Sequence, residues 1–214
     1  MSGLTIPTPY GPARVELHCD SQLHCDSQSA RRPHAGAALL LGHGAGGGLD
    51  APDLLAATRA ATSVGVHVAL VEQPYRVAGR RAPAPARQLD AAWLVLTERL
   101  AAADGPFAGL PLIFGGRSSG ARVACRTAAA GAAVAVLCLA YPVHPPGQPG
   151  RSRLAELAGV GVPVLVVQGE RDPFGRPEPA AGREVVLLPG DHSLKADPDG
   201  VQCAVGNWLA RLPV

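Results

Sequence analysis

The pentapeptide Gly116-Arg117-Ser118-Ser119-Gly120 follows the apolar run Leu110–Phe114 and precedes the helix-competent stretch Ala121-Arg-Val-Ala-Cys-Arg126. A serine on a sharp strand-to-helix turn needs glycines two before and two after, because side chains there would collide. Ser118 is therefore a nucleophile candidate, and the competing reading is a plain helix N-cap made by either serine. Two later segments favour the nucleophile. Val164–Gln168 runs into Gly169-Glu-Arg-Asp172-Pro-Phe-Gly175, which puts Asp172 in a tight loop after a strand, with Glu170 as the rival acid. Glu184–Leu188 runs into Pro189-Gly-Asp-His192-Ser-Leu194, which puts a histidine after the last strand. A serine, an acid and a histidine in that order suit acyl transfer: His192 takes the Ser118 proton, and Asp172 fixes the imidazole tautomer.

Acyl transfer also needs backbone amides aimed at a developing oxyanion. Gly42-His43-Gly44-Ala45-Gly46-Gly47-Gly48 follows the apolar run Ala37–Leu41, and the amides of Ala45 and Ser119 are the expected donors. The same stretch satisfies G-x-G-x-x-G through Gly42, Gly44 and Gly47, with Glu72 after the next strand, so a nucleotide-binding Rossmann protein is a rival. Against it, Asp50 and Asp53 would sit beside a diphosphate, and Ser118, Asp172 and His192 would have no role. The loops Gln73-Pro-Tyr75-Arg76 and Tyr141-Pro-Val-His144-Pro-Pro146 are expected to line the pocket. His43, Tyr75, Arg76, Arg117 and His144 form the candidate substrate-binding set. Arg76, Arg117 and His144 suit a substrate carboxylate or phosphate, and equally suit hydrogen bonds to loop carbonyls.

The elements that must position these residues alternate short apolar runs with Ala- and Leu-rich periodic stretches, the pattern of βαβ units. Strands are predicted at Ala37–Leu41, His67–Val71, Leu110–Phe114, Ala133–Leu139, Val164–Gln168 and Glu184–Leu188. Helices are predicted at Pro52–Ser63, Ala86–Ala103, Ser119–Ala130, Arg151–Leu157 and Gly200–Leu212. The last helix carries Val201, Ala204, Val205, Trp208, Leu209 and Leu212 on one face. Between Ala140 and Val164 there is one crossover's worth of chain, too little for a cap domain. The expectation is a minimal α/β-hydrolase fold, a mostly parallel sheet flanked by helices with an open, lidless site.

At 214 residues, 47% of them hydrophobic and 17% charged, the chain can bury one sizeable core. A net charge of +2 with scattered basic residues offers no footprint for nucleic acid or an anionic membrane. The run Thr127–Val143 is short for a membrane span, and Met1–Pro12 lacks the pattern of a secretory signal. Five cysteines (Cys19, Cys25, Cys125, Cys138, Cys203) are an odd, sparse set that fits a reducing, cytoplasmic setting. Residues 1–35 read as an edge strand and loop segment, with a strand-like piece at Ala13–Leu17, and 36–214 as the core. Within the first segment Leu17-His-Cys-Asp-Ser-Gln22 recurs unchanged as Leu23–Gln28. Two His-Cys pairs could ligate zinc or copper, but the spacing matches no familiar site, and a repeat tolerated in a surface loop explains it more simply. No metal or organic cofactor is expected, and the expected partner is a small-molecule acyl substrate.

His43-Gly-Ala-Gly-Gly47, Glu72-Gln-Pro-Tyr75, Gly115-Gly-Arg-Ser-Ser-Gly120, Tyr141-Pro-Val-His-Pro-Pro146, Gly169-Glu-Arg-Asp172 and Gly190-Asp-His192 together resemble one group of proteins. These are the α/β-hydrolases typified by testis-expressed protein thirty and the hydrolase-like subunit of the NSL chromatin complex, relatives of the dienelactone hydrolases. The resemblance runs from about Ala35 to the C-terminus. It implies a small lidless hydrolase core with Ser118, Asp172 and His192 as the triad. Some members look like interaction subunits, so the alternative it carries is a non-catalytic binding module.

Overall fold

A computed structural model describes residues 2–18 and 36–213. The chain opens with an antiparallel hairpin, β1 (Ser2–Thr8) and β2 (Gly11–His18). Six parallel strands follow: β3 (Ala38–Gly42), β4 (His67–Glu72), β5 (Leu112–Arg117), β6 (Ala135–Leu139), β7 (Val164–Gly169) and β8 (Arg183–Leu188). The helices are α1 (Pro52–Ser63), α2 (Pro74–Val77), α3 (Ala86–Ala101), α4 (Ser119–Thr127), α5 (Leu154–Ala158) and α6 (Pro198–Leu209). All eight strands form one sheet in the order β1-β2-β4-β3-β5-β6-β7-β8, with β2 antiparallel to β4.

The central strands are apolar on both faces because helices cover both. Side chains alternate across a strand, so Leu40, Phe114, Val136 and Val166 enter one core with Trp93 of α3 and Val123 of α4. Leu39, Leu41, Ile113, Leu137 and Leu165 enter the other, with Leu54 of α1 and Trp208 of α6. Val201, Val205, Trp208 and Leu209 are all buried, the face foreseen for the last helix. Between β6 and β7 lies only α5 with its loops, and among the described residues no cap covers the sheet edge.

The differences from the sequence reading are local. β1 was not anticipated: Leu4 and Ile6 alternate with polar residues, and Pro7 argues against a strand, yet an edge strand tolerates proline. α2 turns helical within a segment read as loop. α6 starts at Pro198 rather than Gly200, because the Asp197 side chain accepts the Gly200 N–H and caps it. β5 continues through Gly115, Gly116 and Arg117 to the edge of the turn. The strand-like piece at Ala13–Leu17 is β2, which pairs with β4 in the main sheet. Beyond Leu17 and His18, the repeated hexapeptides and the metal reading attached to them lie outside the described residues.

Candidate active site

Ser118 occupies the turn between β5 and α4, with φ 52° and ψ −106°. Positive φ is costly for a residue with a Cβ, and such strain survives only where the surroundings enforce it. Here the Ser118 N–H donates to the Leu139 carbonyl of β6 at 2.9 Å. The flanking glycines are sterically required. Strand register sets Gly42 beside Gly116, and a Cβ on Gly116 would come within 2.6 Å of the Gly42 oxygen and the Gly120 carbonyl carbon. A Cβ on Gly120 would run into the Gly42 carbonyl. Ser118 stands at the N-cap position but makes no side-chain cap bond. Its hydroxyl turns instead to His192.

The Ser118 Oγ lies 2.9 Å from His192 Nε2, and His192 Nδ1 lies 2.8 Å from Asp172 Oδ2. A carboxylate only accepts, so Nδ1 carries the proton and the Nε2 lone pair faces the serine. Asp172 is buried, and its carboxylate also accepts the Phe174 N–H on Oδ1 at 2.8 Å and the Gln168 amide on Oδ2 at 2.7 Å. The Phe174 ring meets the imidazole edge-on with centroids 4.2 Å apart. Glu170, the rival acid, is exposed, and its own N–H is bonded to Leu188.

Arg117 is committed to the protein. Its Nε lies 2.9 Å from Oδ2 of Asp53, in the first turn of α1. That N–H is not aligned on the oxygen, so the contact is an ion pair rather than a well-formed hydrogen bond. Nη2 donates to the His192 carbonyl at 3.1 Å. One side chain thus ties the serine strand to α1 and to the histidine loop. Burial lifts the Asp53 carboxyl above its ordinary range, and the Arg117 charge pulls it partly back.

His43 and Tyr75 act on the glycine-rich loop. Buried His43 donates from Nδ1 to the Gly44 carbonyl at 2.7 Å and accepts the Gln73 N–H on Nε2 at 3.1 Å. The same Gly44 carbonyl accepts the Gly47 N–H at 3.2 Å. Gly44 C=O and Ala45 N–H belong to one planar peptide, so bonds that hold the carbonyl also aim the amide away from it. Tyr75 Oη donates to the next carbonyl, that of Ala45, at 2.7 Å. Burial holds His43 below its ordinary value and pushes the Tyr75 phenol up to about 12, so the former is a neutral imidazole and the latter a donor at neutral pH. Ser119, the first residue of α4, has an N–H that no turn of its own helix can use.

The remaining candidates also bond to main chain. Arg76 donates to the Arg80 carbonyl at 3.3 Å, and His144 donates from Nδ1 to Pro145 at 2.9 Å. His144 borders an open cleft walled by Arg171, Pro173, Arg176 and Leu187; neither Ser118 nor His192 reaches it. Sequence reasoning gave no place in this site to Phe174 or Gln168, and weighed Asp53 only as an obstacle to a diphosphate. Gln168 alone left a signal, a polar residue ending an apolar run.

A mostly parallel sheet that delivers a serine at a strand-to-helix elbow, an acid after β7 and a histidine after β8 has the architecture of an α/β-hydrolase. Residues 35–200 match the profile of the alpha/beta hydrolase domain, and the chain belongs to that family. No curated protein matches the sequence. Among solved structures it is similar to an a/b serine hydrolase without lid from Xanthomonas campestris, with 22% identity over 100% of this chain and 95% of that one, at TM-score 0.73. Est1E from Butyrivibrio proteoclasticus is similar at 14% identity, 98% of both chains and TM-score 0.74. A dienelactone hydrolase from Anabaena variabilis is similar at 17% identity, 98% of this chain and 94% of that one, and TM-score 0.67. At these identities the likeness is one of fold.

Proposed function

We propose that this protein is a serine hydrolase acting on a carboxylic ester, thioester or similar acyl bond. Ser118 is the nucleophile, His192 the general base and Asp172 the orienting acid. The observation that carries this reading is the continuous chain from Ser118 Oγ to His192 Nε2 at 2.9 Å and from Nδ1 to Asp172 at 2.8 Å. The Ser118 proton moves to Nε2 as Oγ attacks the carbonyl carbon, and the Ala45 and Ser119 amides receive the oxyanion. As the tetrahedral intermediate collapses, His192 returns the proton to the leaving group. Water, deprotonated by His192, then releases the acyl group from Ser118.

No step in this scheme calls for a metal or organic cofactor. A small-molecule acyl substrate, a cytoplasmic setting and kinship with the group of testis-expressed protein thirty and the NSL-complex subunit belong to the same proposal. Names among the fold relatives, a serine hydrolase and a dienelactone hydrolase, agree with the reaction class.

The test is steady-state hydrolysis of short-chain p-nitrophenyl esters, with fluorophosphonate labelling, on the wild type and Ser118→Ala. The wild type should turn over and label. The variant should lose roughly four or more orders of magnitude in kcat and should not label. Equal labelling of both proteins, or no turnover and no labelling by a folded wild type, would overturn the proposal and leave a binding module with this fold.

A further inference from the structure

Gln168, the penultimate residue of the apolar strand β7, has no exposed surface. Its Nε2 lies 2.7 Å from Asp172 Oδ2, 3.0 Å from the Gly175 carbonyl and 3.1 Å from the Tyr141 carbonyl. All three partners are acceptors and share the two amide hydrogens, one of them bifurcated, so the amide has one workable orientation; turned over, its oxygen would face a carboxylate and two carbonyls. In the orientation it takes, Oε1 is buried with no donor among the described residues. A buried acceptor left unpaired is unfavourable, and an apolar side chain of the same length would avoid it. Packing therefore does not account for a glutamine here, whereas the three acceptors do.

We propose that Gln168 is a positioning residue for Asp172; the inference rests on the reading of Asp172 as the acid beside His192. Gln168 donates to Oδ2, the same oxygen that accepts the His192 Nδ1–H, while the Phe174 N–H holds Oδ1. With both oxygens held, the carboxylate cannot rotate away from the imidazole. Among the described residues no lysine or arginine forms an ion pair with Asp172, and Arg117 reaches only the His192 carbonyl. Neutral donors thus set the direction of the acid. The bonds to Tyr141 and Gly175 lock the loop after β6 to the acid loop through the same amide.

The test uses Gln168→Met, which keeps length and removes the donors, and Gln168→Glu, which puts an acceptor where the donor was. The first readout is the proton NMR signal of the His192 Nδ1–H, which requires no turnover. The second is the split between kcat and KM on a p-nitrophenyl ester. The signal should move or vanish in both variants, and kcat should fall about 10- to 100-fold, as when outer partners of other active-site ligands are lost, with KM little changed. Gln168→Met also takes the donor from the Tyr141 and Gly175 carbonyls, so a small fall in melting temperature should accompany the moved signal. An unmoved signal with wild-type kcat in both variants would overturn the assignment. So would a lowered melting temperature with the signal in place, or failure of both variants to fold. If the wild type turns over no ester, the hydrolase reading fails separately, and the NMR signal still decides the role of Gln168.

Discussion

Arg117→Met takes the cation from a pair in which the Asp53 side chain has no exposed surface and Arg117 keeps 18% of its own. Breaking a buried pair from one side leaves a charge uncompensated and costs about 3–5 kcal/mol; the exposed edge of Arg117 puts this case near ~3 kcal/mol. In a domain of this size each kcal/mol moves the melting temperature by about 2–4 °C, so the variant should melt about 6–12 °C below the wild type at pH 8. Acid should narrow that gap. Burial already holds the Asp53 carboxyl above its ordinary range, and Arg117 is what pulls it back. Without Arg117 the folded protein holds the proton still more tightly. A carboxyl whose folded pKa exceeds its unfolded one opposes folding above the folded value, and the penalty disappears as pH falls toward the unfolded value. Thermal melts followed by circular dichroism at pH 8 and pH 5 read both effects. Adding Asp53→Leu should recover most of the loss at pH 8, because no buried charge is then left alone. A change within about 2 °C at pH 8, or an equal loss at both pH values, would refute the argument.

His43→Phe removes the bonds to Gly44 and Gln73 together. It should lower kcat on p-nitrophenyl esters about 10- to 100-fold with little change in KM, somewhat less than deleting an oxyanion donor outright; unchanged kcat would detach His43 from the loop. Tyr75→Phe loses one bond to Ala45 and should cost roughly a factor of ten in the same assay. Gly120→Ala drives a methyl group into the Gly42 carbonyl and should cost at least ~3 kcal/mol by urea denaturation, with a wild-type midpoint as the contrary result.

The parts of the fold legible in the sequence are those whose pattern is local. β3, β5, β6 and β7 show as apolar runs closed by glycine or proline, and Pro52 marks the start of α1. β1 is a strand because β2 lies beside it, and Leu4, Ile6 and Pro7 carry little of that on their own. The site divides the same way. The glycines around Ser118 and the loops of Asp172 and His192 are short-range features, and their order is visible as spacing. The roles of His43, Tyr75 and Arg117 are not, because each bonds a main-chain group or carboxylate brought near only by the sheet. Arg117 and His192, for instance, stand 75 positions apart. A polar side chain beside a cleft looks alike in sequence whether it faces solvent or a carbonyl.

Gly42, Gly116 and Gly120 press three stretches of backbone together under the serine. The place of the Ser118 backbone is thereby set by main-chain contacts that leave no room for a Cβ at Gly116 or Gly120 and little at Gly42. The loop after β7 has a different duty, since it holds Asp172 against His192 and is tied through Gln168 to the loop after β6. Such a scaffold holds the serine by backbone contact and its imidazole partner by side-chain bonds. Substitutions in those two loops therefore bear on the imidazole partner, while the place of the serine itself depends on the three glycines.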